Sequence, residues 1–152
     1  MEKKKSNSTI LFFDLRGWYK KTQGKEASQI ASELDSFYKE VIDQAGTHNG
    51  RVVKFMGDAA LVMFEDASNA VEFARSLTKK HEASVGIEAG EVISGNFGKD
   101  NCQWFDVIGQ PVNEAAINMN RANKLEKGTR IVLGPTAWEA LDDEARVDLT
   151  KS

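Results

Sequence analysis

Residues 52–64 read VVKFMGDAALVMF, two short apolar runs that are joined by the pair Gly57-Asp58. Gly-Asp pairs favour tight turns, so this pattern predicts a β-hairpin with strands at about 51–56 and 59–64. Helical spacing of apolar residues predicts one helix before the hairpin, at about 27–45, and another after it, beginning at Asp66.

The other predicted elements alternate in the same way. They are strands at 8–14, at 83–90 with a continuation to 95, at 104–107 and at 130–133, and helices at 111–123 and 135–141. This order is typical of an α+β fold with a ferredoxin-like sheet and helices packed on one face. Many functions occur on that fold, so only the chemistry of a site indicates which one applies.

The composition excludes several classes of protein. The chain has 152 residues, 41% apolar and 28% charged, with a net charge of -3, which does not indicate a nucleic-acid-binding protein. Cys102 is the single cysteine, so an internal disulfide is impossible and a reducing, cytoplasmic location is expected. No apolar run is long enough for a membrane span. We expect residues 1–8 to form a solvated tail and residues 9–152 one domain.

Two aspartates lie at the ends of apolar strands. Asp14 follows the run ILFF at residues 10–13, and Asp58 lies in the turn of the hairpin. A carboxylate at such a position costs desolvation free energy unless another group compensates its charge. Divalent cations bound by a pair of carboxylates would provide this compensation. Gly17, which follows Leu15 and Arg16, lets backbone amides approach a phosphate. The alternative is structural, with Asp58 serving only the turn and Asp14 only ending a strand.

A lysine and an aspartate interrupt two other strands. Lys54 lies between Val53 and Phe55, and Asp106 lies between Phe105 and Val107. An ammonium and a carboxylate in one pocket suit the edge of adenine, which carries an amino donor and ring acceptors. The alternatives are an exposed edge lysine and a cross-strand ion pair.

Asn113 lies near the start of the predicted helix at 111–123. Its amide either orients a sugar or phosphate or only caps the helix and faces solvent. Ser94 and Cys102 have no recognisable base partner in the sequence, so nucleophilic catalysis is not indicated.

Four segments in order resemble the catalytic domain of class III nucleotidyl cyclases, the family of adenylyl and guanylyl cyclases. They are FFDLRG at 12–17, VKFMGDA at 53–59, VGIEAG at 85–90 and FDVIGQPVNEAA at 105–116. The resemblance covers about residues 9–141. It implies a βαββαβ core, a mostly antiparallel sheet, and conversion of ATP to cyclic AMP and pyrophosphate, with GTP the less favoured substrate.

The resemblance also assigns roles to residues. Asp14 and Asp58 would bind two divalent cations, Mg²⁺ or Mn²⁺, Lys54 and Asp106 would select adenine, and Asn113 would position the ribose. In this family the site is shared across a homodimer. One subunit supplies the metal aspartates, and the other supplies the base-selecting pair and the asparagine.

The chain departs from the family pattern at several positions. Ile117 stands where the family usually has an arginine that stabilises the transition state, and Arg121, one turn further along, is the candidate replacement. Ser84 stands where a second arginine contacts phosphate, and the family's usual last hairpin is not expected in this chain. The alternative function is therefore a weak or inactive cyclase-homology domain that binds nucleotide and regulates through dimerisation. A cyclase that makes cyclic dinucleotides is disfavoured, because the hairpin turn reads MGDA instead of a double-glycine acidic turn.

Overall fold

A computed structural model describes residues 2–125 and 130–152. The strands are β1 (Lys4–Leu15), β2 (Gly50–Met56), β3 (Ala59–Phe64), β4 (Ala83–Lys99), β5 (Cys102–Ile108), β6 (Ile131–Leu133) and β7 (Thr150–Lys151). The helices are α1 (Trp18–Thr22), α2 (Ala27–Thr47), α3 (Ala67–Lys80), α4 (Gln110–Lys124) and α5 (Pro135–Glu139). The predicted hairpin and helices are confirmed, while α1 and β7 had no clear signal in the sequence. No helix within the described ranges has both the length and the apolar character needed to cross a membrane.

The strands form one sheet in the order β2-β3-β1-β4-β6-β7, with β5 paired to the far half of β4. Pairing is antiparallel except where β6 joins β4 and β7 joins β6. The α+β class and the mostly antiparallel sheet are therefore confirmed.

The expected N-terminal tail is part of the sheet. Residues 4–8 belong to β1 and pair with residues 90–94 of β4, and Ser8 is buried. Their polar side chains show no strand alternation, but the long β4 offers them backbone hydrogen bonds. The prediction of a solvated tail at 1–8 is thus wrong for residues 4–8, and Met1 lies outside the described residues.

Two apolar layers lie on opposite faces of the sheet. Leu11 and Phe13 of β1 pack in the layer that contains the buried residues of α2 and α3. Ile10 packs on the other face with Ala115 of α4. The expectation of helices on one face holds for α2 and α3, whereas α4 covers the opposite face. Gly86 of β4 permits this, because a β-carbon there would meet the α4 backbone.

Candidate functional site

Strand pairing brings the two predicted metal aspartates together. Asp14 lies near the end of β1, where it pairs with Ala59, the residue that follows Asp58 in the hairpin turn. The Leu15 N–H donates to the Asp58 carbonyl oxygen over 3.3 Å. The Tyr38 hydroxyl donates to the Gly57 carbonyl oxygen over 2.6 Å and ties the turn to α2. Both carboxylates therefore lie at one end of the sheet, on backbone that is fixed from two sides.

Burial raises the pKa of both carboxyl groups. For Asp14, a hydrogen bond from Asn123 acts in the opposite direction, while the nearby charge of Asp58 raises the pKa further. For Asp58, backbone N–H donors, including that of Leu15, oppose the effect of burial on its pKa. The two carboxylates thus carry an electrostatic cost that a bound cation would remove.

The residues fit a divalent cation whose coordination is completed by substrate. Asp14 Oδ1 is buried and has no hydrogen-bond partner among the residues described. In the same ranges, no group of three or more His, Cys, Asp or Glu side chains is placed to hold a metal ion. Mg²⁺ is commonly held by one or two carboxylates together with waters and substrate phosphates, so two aspartates are a sufficient protein contribution.

Lys54 and Asp106 are 52 residues apart in the sequence, but their side chains contact each other within one chain. Lys54 Nζ lies 3.1 Å from Asp106 Oδ2, and the Trp104 indole N–H donates to the same oxygen over 3.1 Å. The Val107 N–H donates to Oδ1 over 2.8 Å. Burial raises the pKa of Asp106, but these hydrogen bonds outweigh it and hold the pKa below its ordinary value. The carboxylate is therefore ionised and fixed, while the Lys54 side chain remains 39% exposed.

The loop after Asp14 gives Arg16 protein partners. Its Nε donates to Ser84 Oγ over 2.8 Å, and its terminal nitrogens donate to the carbonyl oxygens of Ala122 and Leu125 at the end of α4. The guanidinium is thus directed to protein groups, whereas Gly17 is exposed with a φ of 71°. Binding of substrate phosphate by the loop of Leu15, Arg16 and Gly17 stays a prediction.

α4 carries the remaining predicted residues at its two ends. Asn113 is exposed in the first turn, and Arg121 in the last turn donates to Asn118 Oδ1 over 3.2 Å. Ile117 between them is 46% exposed. Asn123, which contacts Asp14, lies ten positions after Asn113 on the helix, and this corresponds to about 15 Å. One chain therefore brings Asp14 to Asp58 and Lys54 to Asp106, but it does not bring Asn113 to the aspartates.

Two residues at these sites were missed in the sequence. Trp104 lies two residues before Asp106 on β5, and strand alternation places both side chains on one face, so a signal existed. Asn123 donates to Asp14 Oδ2 over 3.3 Å across 109 residues of sequence. No local pattern indicates a contact of that kind.

Known proteins resemble both the sequence and the fold. An uncharacterized protein of Mycobacterium tuberculosis is 33% identical over 121 residues, which are 70% of this chain and 21% of that protein. The chain thus spans about a fifth of the length of this relative. The guanylyl cyclase Cya2 is 28% identical with a TM-score of 0.74, covering 94% of this chain and 82% of that one.

The adenylyl cyclase CyaB from P. aeruginosa is 25% identical with a TM-score of 0.73, covering 80% of this chain and 74% of that one. These two solved structures are an adenylyl cyclase and a guanylyl cyclase. The family profile of the adenylate and guanylate cyclase catalytic domain matches residues 1–151. With the converging aspartates and the Lys54–Asp106 pair, this match shows that the chain belongs to the adenylate and guanylate cyclase catalytic domain family.

Proposed function

We propose that this domain is an adenylyl cyclase that converts ATP to 3′,5′-cyclic AMP and pyrophosphate. The observation that carries the proposal is the convergence of Asp14 and Asp58, with a buried oxygen of Asp14 that has no partner among the described residues. ATP is preferred to GTP because a lysine and a carboxylate form the base-selecting pair. A cytoplasmic location is part of the proposal, since Cys102 has no second cysteine for a disulfide.

Each residue has a role in the proposed reaction. Two divalent cations, Mg²⁺ or Mn²⁺, would supply Lewis-acid activation of the ribose 3′-hydroxyl and charge compensation for the triphosphate. Asp14 and Asp58 would hold them. The Lys54 ammonium donates to a ring nitrogen of adenine, and the Asp106 carboxylate accepts from the exocyclic amino group.

The sugar and the phosphates are positioned by the helix and by the loop after β1. The Asn113 amide orients the ribose, and the backbone at Leu15 and Gly17 approaches the phosphates. Arg121 is the candidate for stabilising the transition-state charge, which requires its side chain to leave Asn118.

The separation along α4 supports a homodimer with shared sites. Since Asn113 and the aspartates lie at opposite ends of a helix about 15 Å apart, a second copy is the natural source of the asparagine. In this arrangement one subunit supplies Asp14 and Asp58, and the other supplies Lys54, Asp106 and Asn113.

A weak or inactive nucleotide-binding domain is the second candidate. The exposed, uncharged Ile117 favours it, because one preorganised charge contact contributes about 10²–10³ in rate. Such a domain would bind ATP through the same residues with little turnover.

Product analysis separates the two candidates. We expect purified protein with ATP and Mn²⁺ to form cyclic AMP, detected by mass spectrometry, faster than GTP gives cyclic GMP. Asp58→Asn is the control that should form neither. Binding of ATP without any cyclic product, in protein shown to be folded, would move the conclusion to the regulatory domain.

Mixing two inactive variants tests the shared site. Asp58→Asn and Asn113→Ala are each expected to be nearly inactive, and their mixture should recover about a quarter of the wild-type rate. Half of the randomly formed dimers are then mixed, and each has one intact site out of two. The control is a mixture of Asn113→Ala with a second Asn113 variant, which should stay inactive. If the mixture of Asp58→Asn and Asn113→Ala recovers no activity, the shared arrangement is contradicted.

A further inference from the structure

Side chains join the end of β1 to the end of α4. Asn123, in the last turn of α4, donates from Nδ2 to Asp14 Oδ2 over 3.3 Å. The second carboxylate oxygen, Oδ1, is buried and finds no hydrogen-bond partner in the described ranges. The Asp14 carboxylate is thus oriented by a hydrogen bond to Oδ2, while Oδ1 is available to coordinate a ligand.

Arg16 fixes the turn that carries Asn123. Its guanidinium donates to the carbonyl oxygens of Ala122, immediately before Asn123, and of Leu125, two residues after it, and its Nε donates to the buried Ser84. The last carbonyls of a helix lack partners within the helix, and a cation there also suits the helix dipole. Arg16 therefore anchors the end of α4 to the strand that bears Asp14.

We propose that Asn123 is a positioning residue for the cation site, and that Arg16 acts through it by holding the end of α4. This inference rests on the proposed function, because it assigns Asp14 to a metal ion. An amide that donates to Oδ2 orients the carboxylate so that Oδ1 faces the cation. Partners of this kind, one contact behind the metal ligand, typically contribute 10–100-fold to metal affinity.

Thermal unfolding measures the effect without turnover. Mn²⁺ is titrated into the full chain with 3′-deoxy-ATP, which lacks the attacking hydroxyl, and the Mn²⁺ concentration that gives half of the maximal rise in Tm is recorded. For Asn123→Ala we expect this concentration to increase about 10–100-fold. Asn120→Ala is the matched control, an exposed asparagine one turn earlier on α4, and it should leave the value unchanged.

The role of Arg16 is tested with Arg16→Lys, which keeps the charge but loses the planar fork. It should also increase the Mn²⁺ requirement, and it should add nothing further in the Asn123→Ala background. Additive effects of the two substitutions would overturn the claim that Arg16 acts through Asn123.

Each remaining outcome decides between the inference and the function on which it rests. If Asn123→Ala keeps the wild-type Mn²⁺ requirement while Asp58→Asn loses the Mn²⁺ effect, the inference is wrong and the cation site stands. If Mn²⁺ does not stabilise the wild type, or stabilises Asp58→Asn equally, the proposed function fails. In turnover assays Asn123→Ala should raise the half-maximal Mn²⁺ concentration without raising KM for ATP. If Asn123→Ala lowers the Tm equally with and without Mn²⁺ and needs the same Mn²⁺ concentration as the wild type, Asn123 has a purely structural role.

Discussion

Asp58→Asn is expected to abolish cyclic AMP formation and, in EDTA, to raise the Tm of the protein. Loss of a carboxylate that would hold a catalytic cation should lower the rate by at least about 10²–10³. The rise in Tm follows from the burial of Asp58, which raises the pKa of its carboxyl and makes ionisation unfavourable in the folded state. A neutral amide of the same shape removes that cost. Since the group is partly exposed, the gain should not exceed about 1 kcal/mol, or about 2–4 °C.

The pH dependence of this effect has a defined sign. A carboxyl whose folded pKa is raised destabilises the fold once it is ionised. With respect to this carboxyl alone, the protein is therefore most stable at low pH, where the Asp58 carboxyl is protonated. This stability is lost as the pH rises through the pKa of Asp58 in the folded state. The difference in Tm between variant and wild type should thus be largest near neutral pH and shrink as the pH falls towards about 4.

Two controls make the Asp58 experiment decisive. Asp35→Asn replaces an exposed aspartate paired with Lys39 and should neither raise Tm nor affect turnover. With Mn²⁺ and nucleotide the wild type should gain stability in proportion to ligand binding, whereas Asp58→Asn should not. Turnover at the wild-type rate in Asp58→Asn would show that the metal assignment is wrong.

Gly86→Ala is expected to be the most damaging small substitution in the sheet. An added β-carbon would lie 2.1 Å from the Ala115 carbonyl oxygen and 2.2 Å from the Met119 backbone nitrogen. These are backbone atoms of α4, so the helix must move away from β4 instead of a side chain adjusting. We expect a loss of about 3 kcal/mol, or a fall in Tm of about 6–12 °C.

The displacement of α4 should also affect the site. This helix carries Asn113 at one end and Asn123, the partner of Asp14, at the other. The specific activity of the fraction of Gly86→Ala that remains folded is therefore expected to fall as well. Circular dichroism during thermal unfolding, combined with turnover well below the Tm, separates the two effects.

Gly46→Ala provides the matched control for Gly86→Ala. Gly46 lies in α2, and a β-carbon there would meet nothing within 4 Å. Alanine in an open helical position should stabilise by about 0.5–1 kcal/mol. A Gly86 variant that melts within about 2 °C of the wild type would contradict the close packing of α4 on β4.

Local chemistry is sufficient to predict several elements of this fold. The hairpin at 50–64 follows from apolar runs around a Gly-Asp turn. The start of α3 follows from Asp66, whose side chain accepts from the Asn69 N–H over 2.8 Å. In each case the determining contacts lie within a few residues of one another, so the sequence pattern contains them.

The N-terminal half of β1 and the position of α4 depend on distant partners. Residues 4–8 are polar and become strand only because β4 extends far enough to pair with them. In the sequence, Gly86 is an ordinary small residue in a strand. Only the packing of α4 against it shows that a side chain would not fit there. Neither feature has a local periodicity that would reveal it.

The sequence by itself determined the family, the α+β class and the identities of the charged residues, Asp14, Asp58, Lys54 and Asp106, because these are carried by short motifs. Only the tertiary structure decided how those residues are supported. It directed Arg16 to the end of α4, placed Asn123 on Asp14 and gave Asp106 the Trp104 donor. The physical reason is that a hydrogen bond depends on where two chain segments meet, and sheet pairing and helix packing bring together residues as far as 109 positions apart.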